Sequence, residues 1–360
     1  MLRDGVFNGE TPHVSYCIGY LKHMKAMNDV AILVPSIDCN KDLENMVDQL
    51  MLDEALEGVS VIVVIDGGDI EDDVMDYLLK RGVNVKVNPL RGGVASALNL
   101  GLDGSPYLFV RRMDADDEWI NGSLNATVLK LLREFTLVFG YTINKRNGKY
   151  FKSAITDLPA GEISRLAFLP GNPITHPTVC FNSEVIEKLG GYSHSSAEDL
   201  ELWMRILVRG YKICNSDLPT VVYSRDQNLA SKNLSNKVVL QEVQEKWLEL
   251  VGEEFGLTVK YLDVAICRNI NCEHGSTDIQ LYKVDLSRML KKLRSFPIDS
   301  RLYMNIFIRS VITLIAHESK WKTVIFCFSE SIRRPTLIPN FVQFYLQDRM
   351  KLLKFKVAIK

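Results

Sequence analysis

What the chain lacks narrows its class before any motif is read. It has no run of about twenty uninterrupted apolar residues, the length a bilayer-spanning helix needs. The longest candidates, MNIFIRSVITLIA and TLIPNFVQFYL, are short or cut by Arg309 and by prolines, so no transmembrane helix is expected. An excess of either charge is also missing, since 43 Lys and Arg face 44 Asp and Glu for a net charge of -1. Nothing therefore draws the protein as a whole to nucleic acid or another polyanion. Cysteine is sparse: the 7 residues are odd in number and mostly sit in apolar runs such as TVCF and VIFCF, which is how reduced core thiols of a cytosolic chain read. Cys267, Cys272 and His274 in CRNINCEH supply too few ligands for a zinc site. An apolar leader is absent as well, because MLRDGVFNGETPHV is polar where a signal core begins. The expected localisation is cytoplasmic.

What is present is an alternating pattern in a chain of 360 residues, 47% hydrophobic and 24% charged, enough for one large domain and a smaller one. VAILVPS and VSVIVVIDGG are β-branched and aliphatic runs ending in turn formers, as buried parallel strands are. NVKV and SPYLFVRR are shorter versions. Between them, KDLENMVDQLMLDEAL, DDVMDYLLKRG and GVASALNLGL carry apolar residues three and four apart, the period of a helix. The pattern predicts a doubly wound α/β sheet, in which ligands bind beyond the carboxyl ends of the strands.

Acidic and polar residues gather at those ends. Ser36 and Asp38 follow the first strand, Asp66 the second, and Asp114, Asp116 and Asp117 the strand in PYLFV. Asp66 and Gly67 alone read equally well as a turn. The DADD cluster reads differently, because each pair of carboxylates at 4 Å repels by about 1 kcal/mol even in water. A hard divalent cation such as Mg²⁺ or Mn²⁺ relieves that repulsion, and typically bridges carboxylates to phosphates. A second cluster, AEDLELW, sets Asp199 four residues before Trp203, on one helical face, with Glu198 beside them. An ordinary amphipathic helix explains Leu200, Trp203 and Ile206 as core; a carboxylate beside an aromatic platform is the functional alternative.

VAILVPSID, VIVVIDGGD, RGGVASALNLGL, FVRRMDADD, HPTVCFNSEVIEKLGGY and AEDLELWMRI, in that order, resemble the motifs of family 2 glycosyltransferases of GT-A fold. The resemblance implies a GT-A type doubly wound mixed sheet with a Rossmann-like nucleotide-binding half and a helical C-terminal extension. It implies residues 1–28 as an N-terminal extension, 29–235 as the catalytic domain and 236–360 as a mainly helical region. The implied activity is inverting transfer of a sugar from a nucleoside-diphosphate sugar, UDP-linked, to a hydroxyl of a glycan or lipid-linked glycan, in bacterial surface polysaccharide synthesis. The implied donor site is Pro35, Ser36, Asp38, Asp66, Arg91, Gly93 and Asp114, with Asp116 and Asp114 holding Mn²⁺ or Mg²⁺. Asp199 is implied as the base, and Glu198, Trp203 and His176 as the acceptor side.

The chain departs from the pattern where the family often places a metal-binding histidine, since VVYSRDQNLASKN has Tyr223 and Arg225 but no His. Arg225 is expected to bind the diphosphate instead, a guanidinium being suited to phosphate oxygens. His194 is expected in a mobile loop. Residues 331–360 mix basic, aromatic and aliphatic residues, which suits either contact with an anionic membrane surface or a packed helical tail. A nucleotidyltransferase of related fold is the rival enzyme, although PSIDCNKD lacks its glycine-rich phosphate loop. A relative that only holds nucleotide is the non-enzymatic rival.

Overall fold

Four apolar runs build a parallel core sheet: β1 Val30–Ser36, β2 Ser60–Asp66, β3 Asn84–Asn88 and β4 Phe109–Arg112. They belong to a computed structural model that describes residues 27–146, 149–153, 158–194, 197–224, 240–266, 276–293 and 295–317. Residues 30–34 are 0% exposed, because helices cover both faces of this part of the sheet. The helices α1 Lys41–Met51, α2 Asp72–Lys80 and α3 Val94–Leu102 are the crossovers. In α1 the buried residues Leu43, Met46, Val47 and Leu50 form one stripe, and the Asn40 side chain caps the helix by accepting from the amides of Asp42 and Leu43. α3 packs close to the sheet, where a Cβ at Gly101 would lie 2.3 Å from Leu33 Cδ1.

The order β3-β2-β1-β4 places β4 on the far side of β1 from β2. The strand order reverses there, and the crevice at such a switch point is where ligands bind. Beyond β4 the sheet becomes mixed. It adds β5 Glu118–Trp119, β6 Leu137–Arg146, β7 Lys149–Lys152, β8 Gly161–Glu162, β9 Cys180–Asn182 and β10 Ile213–Ser224, with helices α4 Ala126–Leu131, α5 Ser183–Lys188 and α6 Glu198–Val208 between them. β9 runs antiparallel to both β4 and β6, while β10 pairs parallel with β6. The predicted doubly wound mixed sheet is present.

The chain divides into two compact units, one of residues 1–164 and 174–246, the other of 165–173 and 247–360. The division falls between Lys246 and Trp247 and not at 235, within α7 Leu240–Trp247. In the second unit, α8 Val259–Ile266, α9 Ser276–Leu293 and α10 Ser300–His317 follow. Trp247, Tyr261 and Tyr282 stack in series there. Arg309, which interrupts an apolar run in the sequence, is 0% exposed and donates to the carbonyls of Ala167, Pro170 and Gly171 at 2.7, 3.3 and 2.8 Å. The segment Arg165–Pro173 thereby belongs to the helical unit although it lies between β8 and β9 in sequence. Its carbonyls need donors because the backbone there forms only a short 3₁₀ turn.

Candidate active site

Three loops at the carboxyl ends of β1, β2 and β3 meet because two consecutive glycines leave room. A Cβ on Gly67, whose φ is 70°, would lie 2.4 Å from the Arg91 amide nitrogen, and one on Gly68 would lie 2.1 Å from the Ile37 carbonyl oxygen. Asp66, 3% exposed, ties two of these loops together. Its Oδ1 accepts from Asn88 Nδ2 at 2.8 Å and the Gly92 amide at 3.0 Å, and its Oδ2 from the Gly93 amide at 2.7 Å. A carboxylate has about four acceptor positions, so one direction remains for an arriving donor. Asp66 was expected to meet a ligand; the structure also makes it the anchor of the β3–α3 loop. Arg91 and Gly93 are exposed in that loop. Pro35 pairs with Val64, Ser36 Oγ donates to the Asp38 carbonyl at 2.7 Å, and Asp38 Oδ1 accepts from the Asp69 amide at 3.1 Å.

At the end of β4 the alternation of a strand separates Arg111 from Arg112. Arg111 turns under Trp119, 5.4 Å from its ring, and donates to the Val179 carbonyl. Burial pushes its guanidinium down to about 10. Arg112 turns the other way and forms an ion pair with Asp114. Among the described residues Asp116 has no ion-pair partner, and burial, followed by the charge of Asp114, holds its carboxyl above the usual range. Asp117 is buried at 4% and contributes charge near both arginines.

The start of α6 supplies the second cluster. Asp199 lies in the first turn and accepts from the Leu200 amide at 2.6 Å, where backbone N–H groups stabilise an anion. Burial, followed by the charge of Asp199, pushes the neighbouring Glu198 up to about 7, and Arg112 and Asp114 also act on it. His176 faces Glu198, with Nδ1 3.7 Å from Oε1, and its Nε2 is 3.1 Å from the Tyr192 hydroxyl. Arg112, paired with Asp114, also acts electrostatically on His176, Tyr192, Glu198 and Asp116.

Trp203 requires correction. It was expected to offer an aromatic surface to an acceptor, but it is 0% exposed and meets the His176 ring edge-on, centroids 5.6 Å apart. Leu200, Trp203, Met204 and Ile206 are the core-facing residues of α6, so the core explanation of this helix holds for Trp203. His194 lies exposed in a bend. Arg225, Cys267, Cys272 and His274 lie outside the described residues, as do 331–360.

Sequence reading missed Arg112, Asn88 and Tyr192. Two arginines inside an otherwise apolar strand were the available signal for the first, since a buried cation requires an anionic partner. Nothing local marked Asn88, whose partner is twenty-two positions away.

This sheet order is that of a GT-A fold. Of solved structures, S. aureus TarS 1–349 in complex with UDP has a TM-score of 0.51 at 15% identity, covering 85% of this chain and 91% of that one. Residues 31–189, under half of the chain, match the model of Glycosyl transferase family 2. It is 25% identical over 191 residues to the O-antigen biosynthesis glycosyltransferase WbnJ of Escherichia coli, 51% of this chain and 74% of that protein. It is 26% identical over 169 residues to the amylovoran biosynthesis glycosyltransferase AmsE of Erwinia amylovora, 46% of this chain and 62% of that protein. A third relative, UDP-Glc:alpha-D-GlcNAc-diphosphoundecaprenol beta-1,3-glucosyltransferase WfaP of Escherichia coli, is 22% identical over 219 residues, 60% of this chain and 84% of that protein.

Proposed function

We propose that the chain transfers a sugar from a UDP-sugar to a hydroxyl of a glycan or lipid-linked glycan, with inversion, in the synthesis of a bacterial surface polysaccharide. The observation that carries this reading is that Asp114, ion-paired with the buried Arg112, acts together with Arg112 on Glu198, the neighbour of Asp199 at the start of α6. Relatives named for O-antigen and amylovoran biosynthesis, and one named for a UDP-glucose donor, support the substrate class.

In this reading Asp199 takes the proton of the acceptor hydroxyl as its oxygen bonds to the anomeric carbon. The bond from that carbon to the diphosphate oxygen breaks on the opposite face, so one displacement inverts the configuration. A positioned base of this kind contributes about 10² to 10⁴ in rate. Asp66, Asp38 and the amides of the β3–α3 loop form the nucleotide side, and Glu198 and His176 the acceptor side.

The residues fit a hard divalent cation. Asp116 is a partly buried carboxyl pushed up by burial and by a like charge, a penalty that a cation reverses. Asp114 has one oxygen on Arg112 and a second to offer. Mg²⁺ or Mn²⁺ would keep waters and take oxygens from substrate phosphates, so the two carboxylates would be sufficient protein ligands. Such a cation, when bound, screens the charge left on the departing diphosphate.

The test is calorimetric titration of UDP with Mn²⁺, Mg²⁺ or a chelator. UDP should bind more tightly with either metal, and Asp116→Ala should remove the metal dependence. Equal affinity under all conditions in the wild type would refute the assignment.

A further inference from the structure

Asn99, on α3, grips the backbone of Tyr192 with both ends of its amide. Its Nδ2 donates to the Tyr192 carbonyl at 2.9 Å, and its Oδ1 accepts from the Tyr192 amide at 2.8 Å. The approach is tight, since a Cβ on Gly191, whose φ is 70°, would lie 2.5 Å from Asn99 Oδ1. From the other side Arg205 of α6 donates to the carbonyls of Leu189 and Gly191. Arg205 is itself held at 3.0 and 2.6 Å by the buried Glu201. The root of Tyr192 is therefore fixed before its hydroxyl meets anything.

That hydroxyl lies 3.1 Å from Nε2 of His176, and Nδ1 of the same ring lies 3.7 Å from Glu198 Oε1. Tyr192 and His176 are only 2% and 8% exposed, so water does not compete for these contacts. A neutral imidazole has one proton to place. With Glu198 ionised and the proton on Nδ1, the N–H points towards the Glu198 carboxylate across 3.7 Å, an electrostatic contact longer than a hydrogen bond, and the Nε2 lone pair receives the phenol proton. The other tautomer turns a lone pair towards a carboxylate that already faces Asp199 on its own helix and Asp114 from the end of β4, with Arg112 as the nearby cation. Burial, and then the charge of Arg112, hold His176 well below its ordinary range, so it stays neutral. Burial holds Tyr192 well above its own, so the phenol keeps a proton to donate.

We propose that Tyr192 is a positioning residue for sugar transfer: its hydroxyl fixes His176 as the Nδ1–H tautomer, and that N–H orients the Glu198 carboxylate beside Asp199. The inference rests on the reading of Asp199 as the base. Tyr192 and His176 touch neither the reacting atoms nor the donor in this arrangement, and they act through Glu198.

Long-range ¹H–¹⁵N correlation NMR on the full chain labelled at its six histidines reads the tautomer without any substrate. His176→Asn removes one signal set and so assigns it. At pH 8, where the Glu198 carboxylate is ionised, the expected result is an Nδ1–H imidazole in the wild type and loss of that single tautomer in Tyr192→Phe. An Nε2–H or doubly protonated wild-type ring, or an unchanged ring in Tyr192→Phe, overturns the proposal. The second arm is turnover of UDP-sugars by the same proteins. Tyr192→Phe should lower kcat about tenfold, the lower end of the range for groups that orient a ligand through another, with the Kd for UDP unchanged. His176→Asn, whose amide N–H stands in for Nδ1–H, should keep more of kcat than His176→Gln. Wild-type kcat in Tyr192→Phe, or equal losses in the two His176 variants, overturns the proposal. If Tyr192→Phe does not fold, the wild-type tautomer and the His176 pair decide. A wild type that turns over no UDP-sugar sinks the functional reading and the positioning role with it, while the NMR arm still shows whether the hydroxyl sets the ring.

Discussion

Glu198 and Asp199 are adjacent in sequence and differ in surroundings, which separates their expected roles. Both carboxylates accept a backbone amide, but Glu198 is also packed against His176 and lies deep enough for burial to raise its pKa. Asp199→Asn should leave the Kd for UDP unchanged and lower turnover by about 10² or more, the loss expected when a general base is removed. Wild-type turnover in that variant would exclude Asp199 as the base. Glu198→Gln should cost less, because it keeps the shape and loses only a charge that is half neutralised near pH 7. The same residue sets a pH dependence of stability. Its folded-state value of about 7 lies above the ordinary carboxyl value of 4.5, so between those values the folded protein binds more protons than the unfolded chain. Its contribution to stability is complete below about pH 4.5 and is lost as pH rises through about 7. Melting measured at pH 5.5 and pH 8 should therefore show Glu198→Gln stabilised relative to wild type at the higher pH. A wild-type-like difference between the two conditions would show that Glu198 does not titrate there.

At the scale of elements, the site depends on how closely the loops at the ends of β1, β2 and β3 approach one another. The alternation of strands and helices, and the acidic residues following each strand, were readable because period and burial are local properties of the chain. The contacts between the loops were not. GGD reads as a turn, but Gly68 lacks a side chain because the Ile37 carbonyl occupies that space. Gly68→Ala should push two backbone segments apart, lowering the melting temperature and weakening UDP binding at least tenfold. Unchanged UDP affinity would show that this loop contact does not shape the nucleotide side. α6 teaches the same lesson from the opposite side. Its sequence allowed Trp203 either to line the core or to face a ligand, and packing against His176 resolved the choice.

For the whole molecule, the helical unit shows how far a sequence reading reaches. Arg309 breaks the hydropathy of its segment and no helix among the described residues is long and apolar enough to cross a membrane. That the same arginine would cap the carbonyls of a segment 138 to 142 residues earlier was invisible, because the pairing exists only once the chain has folded. Residues 331–360 lie outside the described residues, and their basic, aromatic-rich sequence carries one expectation. Deleting them should abolish flotation with anionic vesicles at low salt and leave UDP binding intact, since attraction of Lys and Arg to an anionic surface is screened by salt. A full-length protein that fails to float at low salt would leave the packed-tail alternative.

The sequence by itself determined the order of strands and crossovers, the strand ends at which Asp38, Asp66, Asp114 and Asp116 would collect, and the helix start that carries Glu198 and Asp199. Each of these follows from a pattern within a few residues. Only the tertiary structure decided that the buried Arg112 would pair with Asp114, that Asp66 would hold the β3–α3 loop, and that Tyr192 would reach His176. Those outcomes depend on burial and on charges brought together from distant segments. Both are properties of the folded neighbourhood, where a low dielectric strengthens each pairing and penalises each unpaired group.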